Sequence, residues 1–147
     1  MKLTTFSDYA FRVLIYLAST GESASLSELA QAYGISRNHL VKAVNTLEKN
    51  GFVRTRRGVG GGISLARPAS EISLVEVARS TEPNFTIVEC FDYENNTCRI
   101  AGACRLERIL QDATRAFMAE IGKYTLADIT GNSKVLLKLI ARSSSQY

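Results

Sequence analysis

Cys90, Cys98 and Cys104 are the chain's three cysteines, and they fall within fifteen positions in the pattern C-x7-C-x5-C. Chance rarely clusters every cysteine of a 147-residue chain so tightly, so a shared site is expected. Three thiolates are soft donors that suit zinc or an iron–sulfur cluster. Zinc sites usually show a C-x2-4-C knuckle, which is absent here. The wider spacing suits a larger object whose metal ions are spread out. A four-iron cluster takes four ligands, so the fourth must be another residue, a small molecule or solvent. The single histidine, His39, reads as DNA-facing or structural rather than a ligand, and the loop acids Glu89, Asp92 and Glu94 are candidate ligands that read equally as ordinary solvated charges. Cys104 opens a long helix, where the positive end of the dipole favours a thiolate. The competing reading is three thiols without metal, buried or redox-active.

Charge points to a second chemistry. The net charge is +4, and all of it lies in residues 1–73, which carry nine basic and five acidic side chains. Residues 74–147 balance at nine each. Between 36 and 67, Arg37, Lys42, Lys49, Arg54, Arg56, Arg57 and Arg67 face a single acid, Glu48. Such a local excess is the electrostatic footprint of a polyanion partner.

The elements that must carry these groups follow from periodicity. Phe11, Leu14, Ile15 and Ala18 predict a helix over 8–19 with Ser7 as N-cap, closed by Gly21. Ser25 or Ser27 starts a second, Leu26 to Tyr33, ended by Gly34. Ser36 caps a third that runs to Asn50, with Gly51 beyond it. Two short helices joined by a tight glycine turn form a helix-turn-helix. In the third helix Leu40, Ala43, Val44 and Leu47 share one side, while Asn38, Lys42, Asn45 and Lys49 share the other. Asn pairs bidentately with adenine and Lys reaches guanine or phosphate, so Arg37, Asn38 and Lys42 are the base-reading candidates. Ser36 and His39 flank them.

Two short strands around Gly58-Val59-Gly60-Gly61-Gly62 predict a hairpin, the wing of a winged helix. Gly58 and Gly60 let its backbone approach a partner. Lys2, Arg56 and Arg57 are the phosphate or minor-groove candidates. No Lys-Ser/Thr pair follows the glycines as a nucleotide P-loop requires. No acid/base pair at useful spacing marks an enzyme, and a cluster-bearing electron carrier would not need the basic stripe.

Residues 73–80 read as a short helix ended by Pro83, and 84–103 as a loop without sustained periodicity. Leu106, Leu110, Ala113 and Phe117, widened by Ile109, Ala116 and Ile121, predict a helix from Cys104 to Tyr124. It is too long for a small winged helix to bury alone and is expected to pair with its copy, with packing against 133–141 in the same chain as the alternative, and both can hold. A further apolar stripe covers 133–141. The fold class is therefore mainly α with a small β-hairpin, a winged helix-turn-helix plus a long dimerisation helix. The expected organisation is a DNA-binding domain at 1–80, a cysteine-bearing loop at 81–103, dimerisation and C-terminal helices at 104–141, and a loose polar tail at 142–147. No run is long and apolar enough for a membrane helix, and the N-terminus lacks the apolar core of a signal peptide, so a cytoplasmic protein is expected.

Together these features resemble the iron–sulfur-cluster regulator family of winged-helix repressors, and within it the nitric-oxide-sensing branch. The likeness runs from Leu3-Thr4 to about Leu139. It is carried by Thr5-Phe6-Ser7-Asp8-Tyr9, Ser36-Arg37-Asn38-His39, Arg57-Gly58 with Gly61-Gly62, Ala103-Cys104-Arg105-Leu106, Tyr124-Thr125-Leu126-Ala127-Asp128 and the cysteine pattern. The resemblance implies a homodimer that binds a palindromic operator in double-stranded DNA. It further implies one [4Fe-4S] cluster per subunit, with [2Fe-2S] as the alternative, bound by Cys90, Cys98 and Cys104. In that branch an aspartate in the first helix of the partner subunit supplies the fourth ligand, and Asp8 matches it. The cluster-biogenesis branch instead has a histidine three residues after the third cysteine, where this chain has Glu107. Relatives often carry proline where this chain has Ile100-Ala101-Gly102. The implied function is a nitric-oxide-sensitive repressor of detoxification genes. A metal-free cysteine redox sensor on the same scaffold is the alternative.

Overall fold

Helix α1, Thr5–Thr20, is the axis of the molecule, with Ala10, Val13, Leu14 and Leu17 buried along one face. The computed structural model describes residues 2–58 and 61–143. Helix α1 starts three residues before the expected 8–19 span, because Thr4 and not Ser7 is its N-cap. Ser7 is buried, and its backbone N–H donates to Thr4 Oγ1 at 3.2 Å. The reason is distant in sequence. Glu82 Oε1 accepts from both the Thr4 N–H at 2.7 Å and the Thr4 hydroxyl at 3.0 Å.

Helix α2, Leu26–Tyr33, begins at Ser25 in a full capping box with Glu28, which excludes Ser27 as the start. Helix α3, Arg37–Lys49, follows after a tight turn, capped by Ser36. Strands β1, Val53–Arg56, and β2, Gly62–Leu65, pair antiparallel with Val53 opposite Leu65 and Arg56 opposite Gly62. Ala24 adds a bridge to Ile63 on the other side of β2. Helix α4, Leu74–Thr81, closes this unit. The mainly helical chain with one hairpin is a winged helix-turn-helix, as its sequence pattern predicts.

The 84–103 stretch is largely irregular, with one short helical turn at Glu89–Phe91. Helix α5, Arg105–Ile121, is shorter than the expected Cys104–Tyr124 span. The chain leaves it because Leu74 N–H binds the Tyr124 carbonyl at 3.0 Å and Leu126 N–H binds the Ile72 carbonyl at 2.8 Å. That pairing places α6, Leu126–Thr130, against α1, and a capping box of Thr125 with Asp128 starts the helix. Helix α7, Ser133–Ser143, lies on α1 and α2 and runs two residues into the segment expected as a loose tail. Leu14, Leu29, Leu40, Leu47, Ile72, Val77 and Leu126 form the buried centre. Helix α5 stands apart, packed chiefly on α4, with Leu106 and Ile109 at 57% and 55% exposure. No helix among the described residues is long and apolar enough to cross a membrane.

Candidate nucleic-acid interface and cysteine site

Helix α3 presents its polar side as expected. Leu40, Ala43, Val44 and Leu47 are buried, while Arg37, Asn38, Lys42, Asn45 and Lys49 are exposed. Ser36 Oγ accepts from the His39 N–H and lies 3.0 Å from His39 Nδ1, so Ser36 and His39 organise the first turn together. The His39 ring also sits 5.9 Å from that of Tyr9 on α1. This gives the histidine a structural contact as well as an exposed position.

The wing is bound to α3 by one carboxylate. Glu48 Oε1 accepts from the Thr55 N–H at 2.9 Å and its hydroxyl at 2.5 Å, which holds the Glu48 carboxyl below its usual range. The lone acid of the basic stretch therefore fixes the angle between the hairpin and the helix. Arg54, Arg56, Arg57 and Gly58 are exposed along the same hairpin, and Lys2 is exposed ahead of α1. Arg54 Nε is tied to Ser64 Oγ at 3.2 Å. Gly61 serves the hairpin itself, because a Cβ there would collide with the Arg56 carbonyl oxygen. The proposed contact Gly60 lies outside the described residues.

The three cysteines are free thiols, each half-buried. Two of them are bracketed by one hydrogen-bond pair. Glu89 Oε1 accepts from the Thr97 N–H at 2.7 Å and its hydroxyl at 2.6 Å, so the residues preceding Cys90 and Cys98 are held together. Asn96 Oδ1 accepts from the Cys98 N–H at 2.9 Å. Asp92 closes the intervening turn onto Asn95. Glu89 and Asp92 thus brace the loop, where the sequence reads them as solvated charges. Burial pushes the Cys90 thiol up, and the nearby charges of Glu107, Cys98 and Cys104 add to the rise. Cys104 is the N-cap of α5 and makes no capping hydrogen bond with its side chain.

Asp8 lies in the first turn of α1 with its side chain half-exposed. Its Oδ2 pairs with Arg12 Nε at 2.9 Å, and the Arg12 guanidinium lies over the Tyr33 ring. Among the described residues no three His, Cys, Asp or Glu side chains converge on a single-ion site. The structure thus links the segments that carry Cys90 and Cys98 and leaves Asp8 engaged with its own helix.

The model of the Rrf2 family, described as an iron-dependent transcriptional regulator, matches residues 3–132. The chain belongs to the Rrf2 family. It is 44% identical over 142 residues to the HTH-type transcriptional regulator NsrR of Bacillus subtilis (strain 168), covering 95% of this chain and 97% of that protein. The fold is shared with solved Rrf2-type structures. CymR, the global cysteine regulator of B. subtilis, superposes with a TM-score of 0.72 at 24% identity, over 90% of this chain and 98% of that one. IscR of T. potens superposes at 0.69 and 21%, over 90% and 88%. This Rrf2 protein is therefore a transcriptional regulator and not an enzyme, and its winged helix is a DNA-binding unit.

The donor set of this Rrf2 chain fits an iron–sulfur cluster. The three thiols are soft donors and free, and the link from Glu89 to Thr97 holds the residues before Cys90 and Cys98 together. The uncapped thiol of Cys104 is left available for such a group. Sequence reasoning missed Glu48, Glu89, Glu107 and Glu82 as organising residues. A signal existed for two of them, since Glu48 is the one acid in a basic stretch and Glu107 falls three residues after a cysteine N-cap.

Proposed function

We propose that this regulator is a nitric-oxide-sensitive repressor that binds a palindromic operator as a homodimer. Cys90, Cys98 and Cys104 would hold an iron–sulfur cluster, [4Fe-4S] in the favoured reading, with the partner subunit's Asp8 as fourth ligand. When bound, such a cluster supplies iron that takes nitric oxide in exchange for protein ligands. The carrying observation is the set of three free thiols, with the residues before Cys90 and Cys98 tied by Glu89 and Thr97 and Cys104 at the start of α5, in a chain 44% identical to NsrR.

The chain's own residues then account for the coupling. A carboxylate is a hard ligand in a soft set and leaves readily. Asp8 would be the residue that holds the cluster from the first helix, and outside that role it pairs with Arg12, as in this structure. Tyr9, the next residue, meets His39 in the first turn of α3. Movement of the start of α1 is therefore felt where Arg37, Asn38 and Lys42 would read bases. Lys2, Arg56, Arg57, Gly58 and Gly60 would follow the phosphates or the minor groove. Coupling of this kind is typically ~1–3 kcal/mol, about 5–150-fold in affinity.

Anaerobic purification with iron and sulfide analysis, then a gel shift before and after nitric oxide, tests the reading. A coloured protein whose operator complex is lost on nitric oxide treatment is expected, and a colourless reconstituted protein overturns it. Asp8→Ala is expected to retain iron while its operator binding ceases to respond to nitric oxide. An unchanged response rejects the Asp8 tether. The half-buried free thiols also favour the metal-free redox sensor as a second reading. Its signature is operator binding that responds to thiol oxidation in iron-free protein.

A further inference from the structure

We propose that Glu107 is a positioning residue for the cysteine constellation, its buried carboxylate pinning the turn that delivers Cys104. The proposal rests on the reading above that the three thiols act as one site. The argument starts at the helix cap. Position Ncap favours Ser, Thr, Asp or Asn, whose side-chain oxygen accepts a first-turn N–H. Cys104 occupies it, and sulfur is a weak acceptor that forms no capping bond here. The helix start therefore needs another anchor.

Glu107 is the third residue of α5, the place a capping box gives to glutamate. It reaches past the cap. Its Oε2 accepts from the Gly102 N–H at 2.8 Å, and Gln111 Nε2 donates to Oε1 at 3.4 Å. Gly102 has φ +81°, a left-handed conformation that glycine adopts without strain. The turn at Gly102 is closed by the Ala103 N–H on the Ile100 carbonyl at 3.3 Å, and Glu107 adds the one side-chain hydrogen bond that ties it to α5, with Cys104 two residues later.

Burial separates this arrangement from ordinary capping. Glu28 fills the same position in α2 and is exposed. Glu107 is 8% exposed and is the one charged side chain buried among the described residues. A buried carboxylate is retained where it is hydrogen-bonded and useful, since desolvating it is unfavourable. It also lies close enough to Cys90 for its charge to act on that thiol. One side chain therefore joins the turn before the third cysteine to the first two turns of α5.

The test compares Glu107→Ala with Glu107→Gln, whose amide oxygen can still accept the Gly102 N–H. In reduced, metal-free protein, alkylation of each cysteine by iodoacetamide is followed by mass spectrometry. Glu107→Ala is expected to speed Cys104 alkylation about tenfold, the scale of one lost hydrogen bond to a charged group. Glu107→Gln is expected to stay near the wild-type rate. On anaerobic addition of ferrous iron and sulfide, the alanine variant is expected to hold less iron with an altered visible circular dichroism spectrum, and the glutamine variant to restore both.

Wild-type Cys104 reactivity in Glu107→Ala, or a glutamine variant that behaves like alanine, overturns the proposal. Far-ultraviolet circular dichroism checks that each variant folds. If Glu107→Ala does not, Gly102→Ala strains the same turn from the backbone side and decides by the same Cys104 rate. A wild-type chain that takes up no iron removes the cluster reading, while the alkylation rates still decide the role of Glu107.

Discussion

Asn38 and Arg56 share a basic face, but the proposed contacts would fail differently when removed. Asn38 stands exposed in the first turn of α3, where an amide can pair with a base edge. Asn38→Ala is expected to lower the ratio of operator to scrambled-DNA affinity by ~1–3 kcal/mol, measured by competition gel shift. Arg56 ends β1 on the exposed side of the wing. Arg56→Ala is expected to weaken both DNAs alike and to reduce the slope of log affinity against log salt by about one. Positions such as these are legible in sequence because exposure on α3 follows from its own periodicity. The bracing carboxylates are less legible. The grip of Glu89 on Thr97, or of Glu82 on Thr4, depends on how an irregular or distant segment returns, and no local pattern encodes that.

The helices whose ends are marked locally sit where the sequence predicts them. Helix α2 spans Leu26–Tyr33 because Ser25 and Glu28 satisfy its first N–H groups reciprocally. Ser25→Ala is expected to cost about 1 kcal/mol in urea denaturation. Helices whose bounds are set from afar were harder to place. Helix α6 has a local start in Thr125 and Asp128 but owes its packing to the backbone pairing of Ile72 and Leu126, and α1 owes its first turn to Glu82. The wing adds a pH-dependent joint. Thr55 holds the Glu48 carboxyl below its unfolded value, so the contribution is fully present above pH ~4.5. It is lost as pH falls through the lowered folded value. The Thr55 amide resonance is expected to follow that titration, and Glu48→Ala to abolish it while leaving α3 helical.

At the scale of the whole molecule, α5 displays Leu106 and Ile109 to solvent while most large apolar side chains are covered. This is the flank available to the second subunit of the proposed homodimer. Replacing both with glutamate is expected to convert a dimer to a folded monomer, read by light scattering and circular dichroism. An unchanged mass would place the dimer contact elsewhere. The exposed apolar flank of α5 was legible because an amphipathic helix of this length outruns what one winged helix can cover. The arrangement of α6 and α7 was not legible, since it depends on closing the chain back onto α1. That closure has a consequence for biosynthesis. Leu126 completes the centre of the DNA-binding unit, and α7 lies across α1 and α2. A ribosome must therefore release these late segments before the early helices can bury their last faces, so prematurely terminated chains would not compete with finished ones for a promoter.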